Sequence, residues 1–343
     1  MEFKLIKTTT EFDLLKNDWN TLLTGSITNV PFLRHEYLRG WWHKRGGGEW
    51  EDAELAIITA TEDEQLIGIA PLFLTANPVN GRNEKTLMLL GSIEISDYLD
   101  LIVREENLNK FTSGLIKFLA GNLDMDWSSL DWFNIPEGSK SIGSIKDAAE
   151  TQGWKFAQEK FRPSVAVELA GDFDEYLAGI DKKQRHEIRR KLRRAAEFYI
   201  PITWNILNDE TQLETGIDDF LTLMANEPEK ARFLTSEMQE QMKILMQAAW
   251  DAGWLQLSFL EVGGVRAASY LNFDYNGTIW VYNSGMDPRF MDLSPGWVLL
   301  GHLLMWANDN GRSVFDFMRG DERYKFKFGG TAQYVQRIMV SKK

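Results

Sequence analysis

Two dipeptides constrain this chain more than any other feature. Gly263-Gly264 joins the runs 254–262 (WLQLSFLEV) and 265–273 (VRAASYLNF), and Asn276-Gly277 links the second run to 278–284 (TIWVYNS). Such two-residue connections need positive φ and close antiparallel hairpins, because their twist matches that of the strands. The spacing therefore predicts a meander of three antiparallel strands. Ahead of it, 210–226 and 236–252 read as helices. Leu213, Ile217, Phe220, Leu221 and Met224 form one apolar stripe, and Met238, Met242, Leu245, Met246 and Ala249 another. Gly253 stops the second helix. A helix at 296–309, ended by Asn310-Gly311, and strands at 313–318 and 333–340 follow the meander.

The first half presents the same order. Helices at 11–23 and 34–45 precede strands at 53–60 and 66–74, joined by a turn at 62–65. Strands at 86–91 and 98–103, a helix at 107–121 and a strand at 129–134 complete it. A plan presented twice is an internal duplication. Arg162-Pro163 and Gly171-Asp172 interrupt the pattern near 155–172, which sets two domains at 1–160 and 161–343. The expected fold class is α/β (α+β), each half a mixed, largely antiparallel sheet with flanking helices.

Composition narrows the chemistry. The chain has no Cys, which excludes disulfides, thiolate catalysis, zinc-thiolate sites and iron–sulfur clusters. Its four His share no metal-ligand spacing, and no metal is expected. HExxH, GxSxG, GxxxxGK[ST] and GxGxxG are absent, and so is a His-x4-Asp pair. Neither a signal peptide nor an apolar run of the ~18 residues a membrane span needs is present, so the chain reads as cytoplasmic. The net charge of −12 argues against DNA as a partner.

One segment runs against that charge. Residues 182–194 hold eight Lys or Arg and one Glu. Ile188, Leu192, Ala195 and Tyr199 recur at helical spacing, giving a basic amphipathic helix over 182–199 with Asp181 as its N-cap. It is either a solvated face or a strip for phosphate groups, with Arg185 and Arg189 among the candidates. A second candidate is the start of the helix at 296–309. Ser294 reads as an N-cap, Pro295 as the first helical residue and Gly296 follows, so free N–H groups there suit an anion, with Arg289 as an added cation. Ordinary capping fits the same residues. The segment 316–329 is dense in polar groups beside aromatics, with Lys325 between Tyr324 and Phe326. The Trp residues, including Trp41, Trp42, Trp280, Trp297 and Trp306, read as core rather than as sugar platforms.

Four stretches together resemble a known family. They are Pro31-Phe32-Leu33 with Trp41-Trp42, then Leu66 to Leu72 (LIGIAPL), then Leu90-Gly91 with Ser96-Asp97-Tyr98-Leu99-Asp100-Leu101, and last Tyr282 through Ser294-Pro295-Gly296 to Phe315-Asp316-Phe317 and Gly320 to Lys325. In order and spacing these resemble the FemAB-like, CelD-like (BioF-type acetyltransferase domain) branch of the GNAT acyltransferases, and the basic segment matches that family's Arg-rich stretch. The resemblance implies two tandem GNAT-like domains. It also implies transfer of an acyl group from acetyl-CoA, another acyl-CoA or another small carrier to an amine or hydroxyl, in cell-envelope or polysaccharide synthesis. The Gln/Arg-x-x-Gly-x-Gly/Ala loop of ordinary GNAT enzymes is missing, with Arg289 to Gly296 in its place. The long coiled-coil arm of enzymes that use aminoacyl-tRNA is missing too, which favours a small carrier.

On this footing Lys325 is expected to donate to the oxyanion of acyl transfer. Asp97 and Asp100 would orient or deprotonate the nucleophile, and Tyr282 would protonate the leaving group. Arg289, Ser294, Pro295 and Gly296 would hold the donor. Tyr98, Arg185, Arg189, Asp316 and Tyr324 would meet a phosphorylated or sugar-containing acceptor. An aminoacyl-tRNA-dependent transferase of FemAB type and a non-catalytic GNAT-fold accessory protein are the alternatives.

Overall fold

A computed structural model describes residues 1–76, 85–121 and 125–342. It divides into two units: unit 1 is Met1–Arg162 with Tyr334–Lys343, and unit 2 is Pro163–Gln333. A linear division at 160/161 places the last strand with the second half, whereas the structure counts residues from Tyr334 onward with the first.

Unit 1 begins with β1 (Glu2–Ile6), α1 (Thr9–Leu14), α2 (Lys16–Thr24) and α3 (His35–Gly48). Next come β2 (Glu54–Leu55), β3 (Ile57–Glu62), β4 (Gln65–Ala70), β5 (Leu72–Ala76), β6 (Lys85–Leu89) and β7 (Ile102–Val103). Then follow α4 (Leu108–Ala120), β8 (Ser129–Pro136), α5 (Lys140–Thr151) and β9 (Lys155–Glu168), whose last residues lie in unit 2. Unit 2 continues with α6 (Phe173–Gly179), α7 (Lys182–Ala196), β10 (Ile202–Ile206), α8 (Leu213–Met224), α9 (Pro228–Phe233) and α10 (Ser236–Asp251). After these come β11 (Leu255–Val262), β12 (Val265–Tyr275), β13 (Thr278–Met286), α11 (Pro295–Asp309), β14 (Val314–Arg319) and α12 (Arg323–Lys327). The chain ends in β15 (Thr331–Ser341), which returns to unit 1.

In unit 2 the strand order is β10-β11-β12-β13-β14-β9. The meander β11-β12-β13 is antiparallel throughout. Its two turns have φ of 59° and 80° at Gly263-Gly264, and 53° and 73° at Asn276-Gly277, as such hairpins require. The core packs Leu299, Leu300, Leu303 and Leu304 of α11 with Ala268, Tyr270, Phe315 and Phe317 of the sheet. α6 and α7 cover α11 in turn, which explains why α11 carries so little polar surface. α7 buries Ile188 and Ala195 with Leu192 half-buried. Tyr199 lies beyond its end and is 84% exposed, so it is not part of the apolar stripe expected of 182–199.

In unit 1 the strands form two groups, β1-β3-β4-β7 and β15-β8-β6-β5-β2. The expected strand 66–74 breaks into β4 and β5 at Pro71, which has no N–H to offer a ladder. The expected strand 98–103 shrinks to Ile102–Val103, because 98–101 lies outside any ladder.

Both units carry the same irregularity. β8 pairs in parallel with β6 at Ser129 and Leu130, and β14 with β13 from Val314 to Asp316. Further along β8, Trp132 faces Ile338 and Ile135 faces Gln336, so two residues oppose one. In β14, Asp316 faces Ala166 and Arg319 faces Ser164, again two against one. The second bulged residue is Asn134 in one and Met318 in the other, each with φ of 62°. This is one β-bulge occurring twice, and with the common element order it shows the tandem duplication in the coordinates.

Candidate functional site

The most suggestive place lies in unit 2, where two neighbouring strands stop pairing. β13 and β14 share three parallel pairs, the last being Trp280 with Asp316. Beyond it β13 runs on to Met286 held by β12, while β14 turns away through its bulge. The Asp316 carboxylate fixes that bulge by accepting the Met318 N–H at 2.7 Å. β13 cannot shift toward α8, because a Cβ on Gly285 would lie 2.4 Å from the Met224 nitrogen. The stretch 282–284 is consequently a half-exposed piece of strand in an otherwise buried sheet.

The start of α11 adjoins the end of this strand: a Cβ on Gly296 would come within 2.6 Å of the Met286 sulfur. Ser294 precedes the helix in a left-handed conformation (φ 54°) and makes no side-chain cap. Trp297 and Val298 both donate N–H to the Ser294 carbonyl, at 3.0 and 3.1 Å. Pro295 has no N–H, and Gly296 is in the first turn, where N–H groups lack intrahelical acceptors. The Ser294 hydroxyl instead accepts from Lys191 Nζ of α7 at 3.0 Å. That ammonium sits 4.3 Å above the Trp297 ring, with Lys327 Nζ 5.7 Å from the same ring. Burial holds the Lys191 ammonium below the usual lysine range; Glu187 opposes that shift, and Arg190 and Lys327 add to it. The helix start thus brings together a positive dipole end, a half-buried cation that also pairs with Glu187 at 3.7 Å, and an aromatic wall.

The cation expected here was Arg289, and the structure pairs it with Asp287. Its guanidinium closes on Asp287 at 2.5 Å while remaining exposed. The Asp287 carboxyl is held below its usual range chiefly by those hydrogen bonds. Lys191 takes the place beside Ser294. Sequence reasoning missed it because it is one cation of eight in a run, and only the packing of α7 on α11 singles it out. Trp297 and Lys327 were missed for the same reason.

Lys325 is inward, as one reading had it, and only 2% exposed. Its ammonium donates to the carbonyls of Met318, Arg319 and Gly320 at 3.3, 2.6 and 3.2 Å and pairs with Glu322 at 2.9 Å. An ammonium has three protons to give. In this arrangement Lys325 fastens the end of β14 and presents no free N–H to an oxyanion. Tyr324 packs beside it, edge-on to Phe317. Burial raises its phenol well above the ordinary range, and the Tyr270 phenol is raised by burial and by its proximity to Tyr324. Both stay protonated at any ordinary pH and can act only as donors. Tyr282 is half-exposed on β13, 5.2 Å from the Phe273 ring.

Of the remaining candidates, two are on α7 and three are in unit 1. Arg185 donates to the carbonyls of Leu177 and Ala178 and so caps α6, and Arg189 pairs with Asp174 at 2.7 Å. Asp100, in unit 1, is 1% exposed. It accepts from Thr28 Oγ1 at 2.6 Å, Ser139 Oγ at 2.5 Å and its neighbour's N–H at 2.8 Å. Burial raises its carboxyl, and these donors oppose the shift. An enclosed carboxylate of this kind orders structure; it does not reach a nucleophile. Asp97 and Tyr98 are buried in the same stretch. Asn134 Nδ2 donates to the carbonyls of Ile93 and Ser96, and Leu99 N–H returns to the Asn134 carbonyl. Among the described residues no group of three His, Asp or Glu can hold a metal, and no helix is long and apolar enough to cross a membrane.

Residues 182–326 match the family model of an acetyltransferase (GNAT) domain. That stretch spans α7, the meander, α11 and most of α12. No curated protein sequence matches the chain. Three solved structures share its fold at low identity. FemX is 11% identical over 98% of this chain and 97% of its own, with a TM-score of 0.67. A conserved protein of unknown function from Bacteroides thetaiotaomicron is 12% identical over the whole of both chains, at 0.60. The C-terminal domain of a putative lysylphosphatidylglycerol synthetase from Agrobacterium fabrum is 9% identical over 98% and 92%, at 0.56. The resemblance to the GNAT, FemAB-like acyltransferase group drawn from the sequence is therefore borne out, in its fold and in its second half.

Proposed function

We propose that unit 2 transfers an acyl group from a phosphate-bearing donor with a pantetheine-like arm, acetyl-CoA being the simplest example, to an amine or hydroxyl. The observation that carries this reading is the end of β13–β14 pairing beside the Lys191–Ser294–Trp297 corner. Beyond Trp280 this edge of β13 is held by side chains and not by a strand, Lys230 Nζ and Asn226 Nδ2 donating to the Ser284 and Met286 carbonyls and Asn283 Oδ1 accepting the Ser284 N–H. An extended arm with amide groups can take over these bonds as an added strand would. Its phosphate then meets the Gly296 N–H and the Lys191 ammonium. The acceptor nitrogen or oxygen attacks the acyl carbon, the C–S bond breaks, and the acceptor's proton ends on the departing thiolate. The half-buried Tyr324 phenol can relay that proton, giving its own to the thiolate and regaining one from the acceptor. Lys325 acts through the carbonyls it holds, as a positioning residue for the rim of β14. The acceptor we infer is a phosphorylated or sugar-containing molecule of envelope synthesis, as the family resemblance of the sequence implies.

A titration of thermal stability with acetyl-CoA, longer acyl-CoAs and CoA tests the donor. A ligand at a hundred times its Kd adds about 2.7 kcal/mol to the folded state. A saturable rise in Tm that is lost in Lys191→Ala and Trp297→Ala is the expected result. No rise with any of them sinks the acyl-CoA form of the reading. The resemblance of the sequence to FemAB-type transferases supplies the second reading, an aminoacyl group delivered on tRNA; RNA-dependent turnover with a steep salt dependence would select it.

A further inference from the structure

We propose that the C-terminal end of α7, with the residues just after it, is a docking surface for a small acidic carrier protein that presents the acyl group on a phosphopantetheine arm. The inference rests on the acyl-transfer reading above and names the form in which the donor arrives.

The argument begins with which cations of α7 are already engaged. Arg185 serves two carbonyls, Arg189 serves Asp174, Arg190 serves Glu187 and Lys191 serves Ser294. Arg193 and Arg194 are exposed and, like Lys182 and Lys183 at the other end of the helix, make no side-chain hydrogen bond or ion pair among the described residues. They line a shallow depression with Arg190, Glu197, Phe198 and Tyr199. Phe198 packs on the unit 2 core, and its ring is 4.6 Å from that of Tyr199. Tyr199 therefore stands 84% exposed on a fixed support and loses little freedom on being covered.

The make-up of the patch selects its partner. Paired guanidiniums around an anchored Tyr are the composition of a protein–protein contact centre. Two unpaired cations are too few for RNA, whose affinity at physiological salt depends on many phosphate contacts. The chain as a whole is acidic, with a net charge of −12, so an acidic protein is repelled by most of its surface and drawn to this face. That asymmetry would orient the encounter. Lys191 lies one helical turn before Arg194, about 4.5 Å along the axis, so a carrier seated on the arginines has the phosphate of its arm near the α11 start. After transfer the carrier leaves as its free thiol.

The test uses the full chain and a purified bacterial holo acyl carrier protein, with binding followed by calorimetry. We expect saturable binding that weakens as salt is raised, and at least a tenfold loss in Arg193→Glu/Arg194→Glu and in Tyr199→Ala. The Tm of these variants and the rise in Tm caused by acetyl-CoA should not change. No saturable binding of the carrier to the unaltered chain overturns the proposal. Equal loss of carrier and acetyl-CoA binding also overturns it, since the patch would then serve the nucleotide. Binding of tRNA in preference to the carrier, lost in the same variants, does so in favour of RNA. The acyl-transfer reading fails separately, when neither acetyl-CoA nor acylated carrier is turned over although the carrier binds.

Discussion

Asn134 and Met318 occupy the same bulge in the two units, with the same φ, yet their surroundings differ. In unit 1 the bulged side chain is an amide, and it grips two carbonyls of the 93–96 stretch. The chain's own loop is bound where β6 and β8 have ceased to pair. In unit 2 the bulged side chain is a thioether with no protons to donate, and half-exposed strand remains at the corresponding place. The two helix starts differ in the same sense. Glu105 and Glu106 stand just ahead of α4, whereas Ser294, Gly296 and Lys191 stand at α11. A repeated fold thus has its gap filled from within in one unit and left half-exposed in the other, because a few side chains decide it.

The largest effect that would break this comparison is expected at Asn134. Asn134→Ala leaves two buried carbonyls without a donor and puts a Cβ residue with no polar side chain in the left-handed region. Unfolding in urea should show a loss of about 3 kcal/mol. Asn134→Gly should recover about 1 kcal/mol of that, the strain without the hydrogen bonds. Equal stability of all three forms would mean the loop is not held by this residue.

Next in size is Lys191. Lys191→Ala should weaken binding of acetyl-CoA by about 10- to 100-fold, the value of a charge-assisted hydrogen bond, with little change in Tm. Because the Lys191 pKa is lowered, its charge is present below that value and lost as pH rises through it. Affinity for the anionic donor should therefore decline at a lower pH than an ordinary lysine would dictate, and Lys191→Arg should remove the decline. The same decline with pH in the parent and in Lys191→Arg would exclude Lys191 as the phosphate ligand.

A smaller effect concerns the filled gap of unit 1. Glu49 receives backbone hydrogen bonds from Ile93 and Glu94, and desolvation with the nearby Glu94 charge pushes its carboxyl up to about 7. A raised carboxyl favours the fold in its protonated form. Its contribution is complete below the unfolded value of about 4.3 and is lost as pH rises through about 7. Glu49→Gln should flatten the dependence of Tm on pH between 5 and 8; an unchanged slope would assign it to other groups. The smallest effect is expected for Arg289→Ala, whose partner is the nearby Asp287. Acetyl-CoA affinity should stay within about 0.5 kcal/mol of the parent value, and a larger loss would restore Arg289 to the donor site.

The elements that were legible are those with local causes. Gly263-Gly264 and Asn276-Gly277 gave away the meander because positive φ at two successive positions leaves few residue choices. Asp181 was legible as a cap because capping is a contact between near neighbours, and it accepts from the N–H groups of Lys183 and Gln184. Edge strands β1 and β10 were not legible, being five residues each with no paired turn to announce them. Arg162-Pro163 reads as a break, yet β9 continues through it, and the Pro163 carbonyl still accepts the Gly320 N–H. At the site, Ser294-Pro295-Gly296 was visible as a helix start. The identity of its cation was not, because α7 meets α11 only through tertiary packing. Lys325 was visible as a residue, but the carbonyls it binds belong to every amino acid and leave no trace in a sequence.

The doubled bulge also orders events in the history of the chain. A kink of the same size, at the same place and with the same backbone angle in both halves, is older than the doubling that produced them. The amide at Asn134 and the thioether at Met318 are where the halves diverged. The ancestral half already had strands that part company, and it was after copying that one half closed its opening with an amide while the other kept its strand half-exposed.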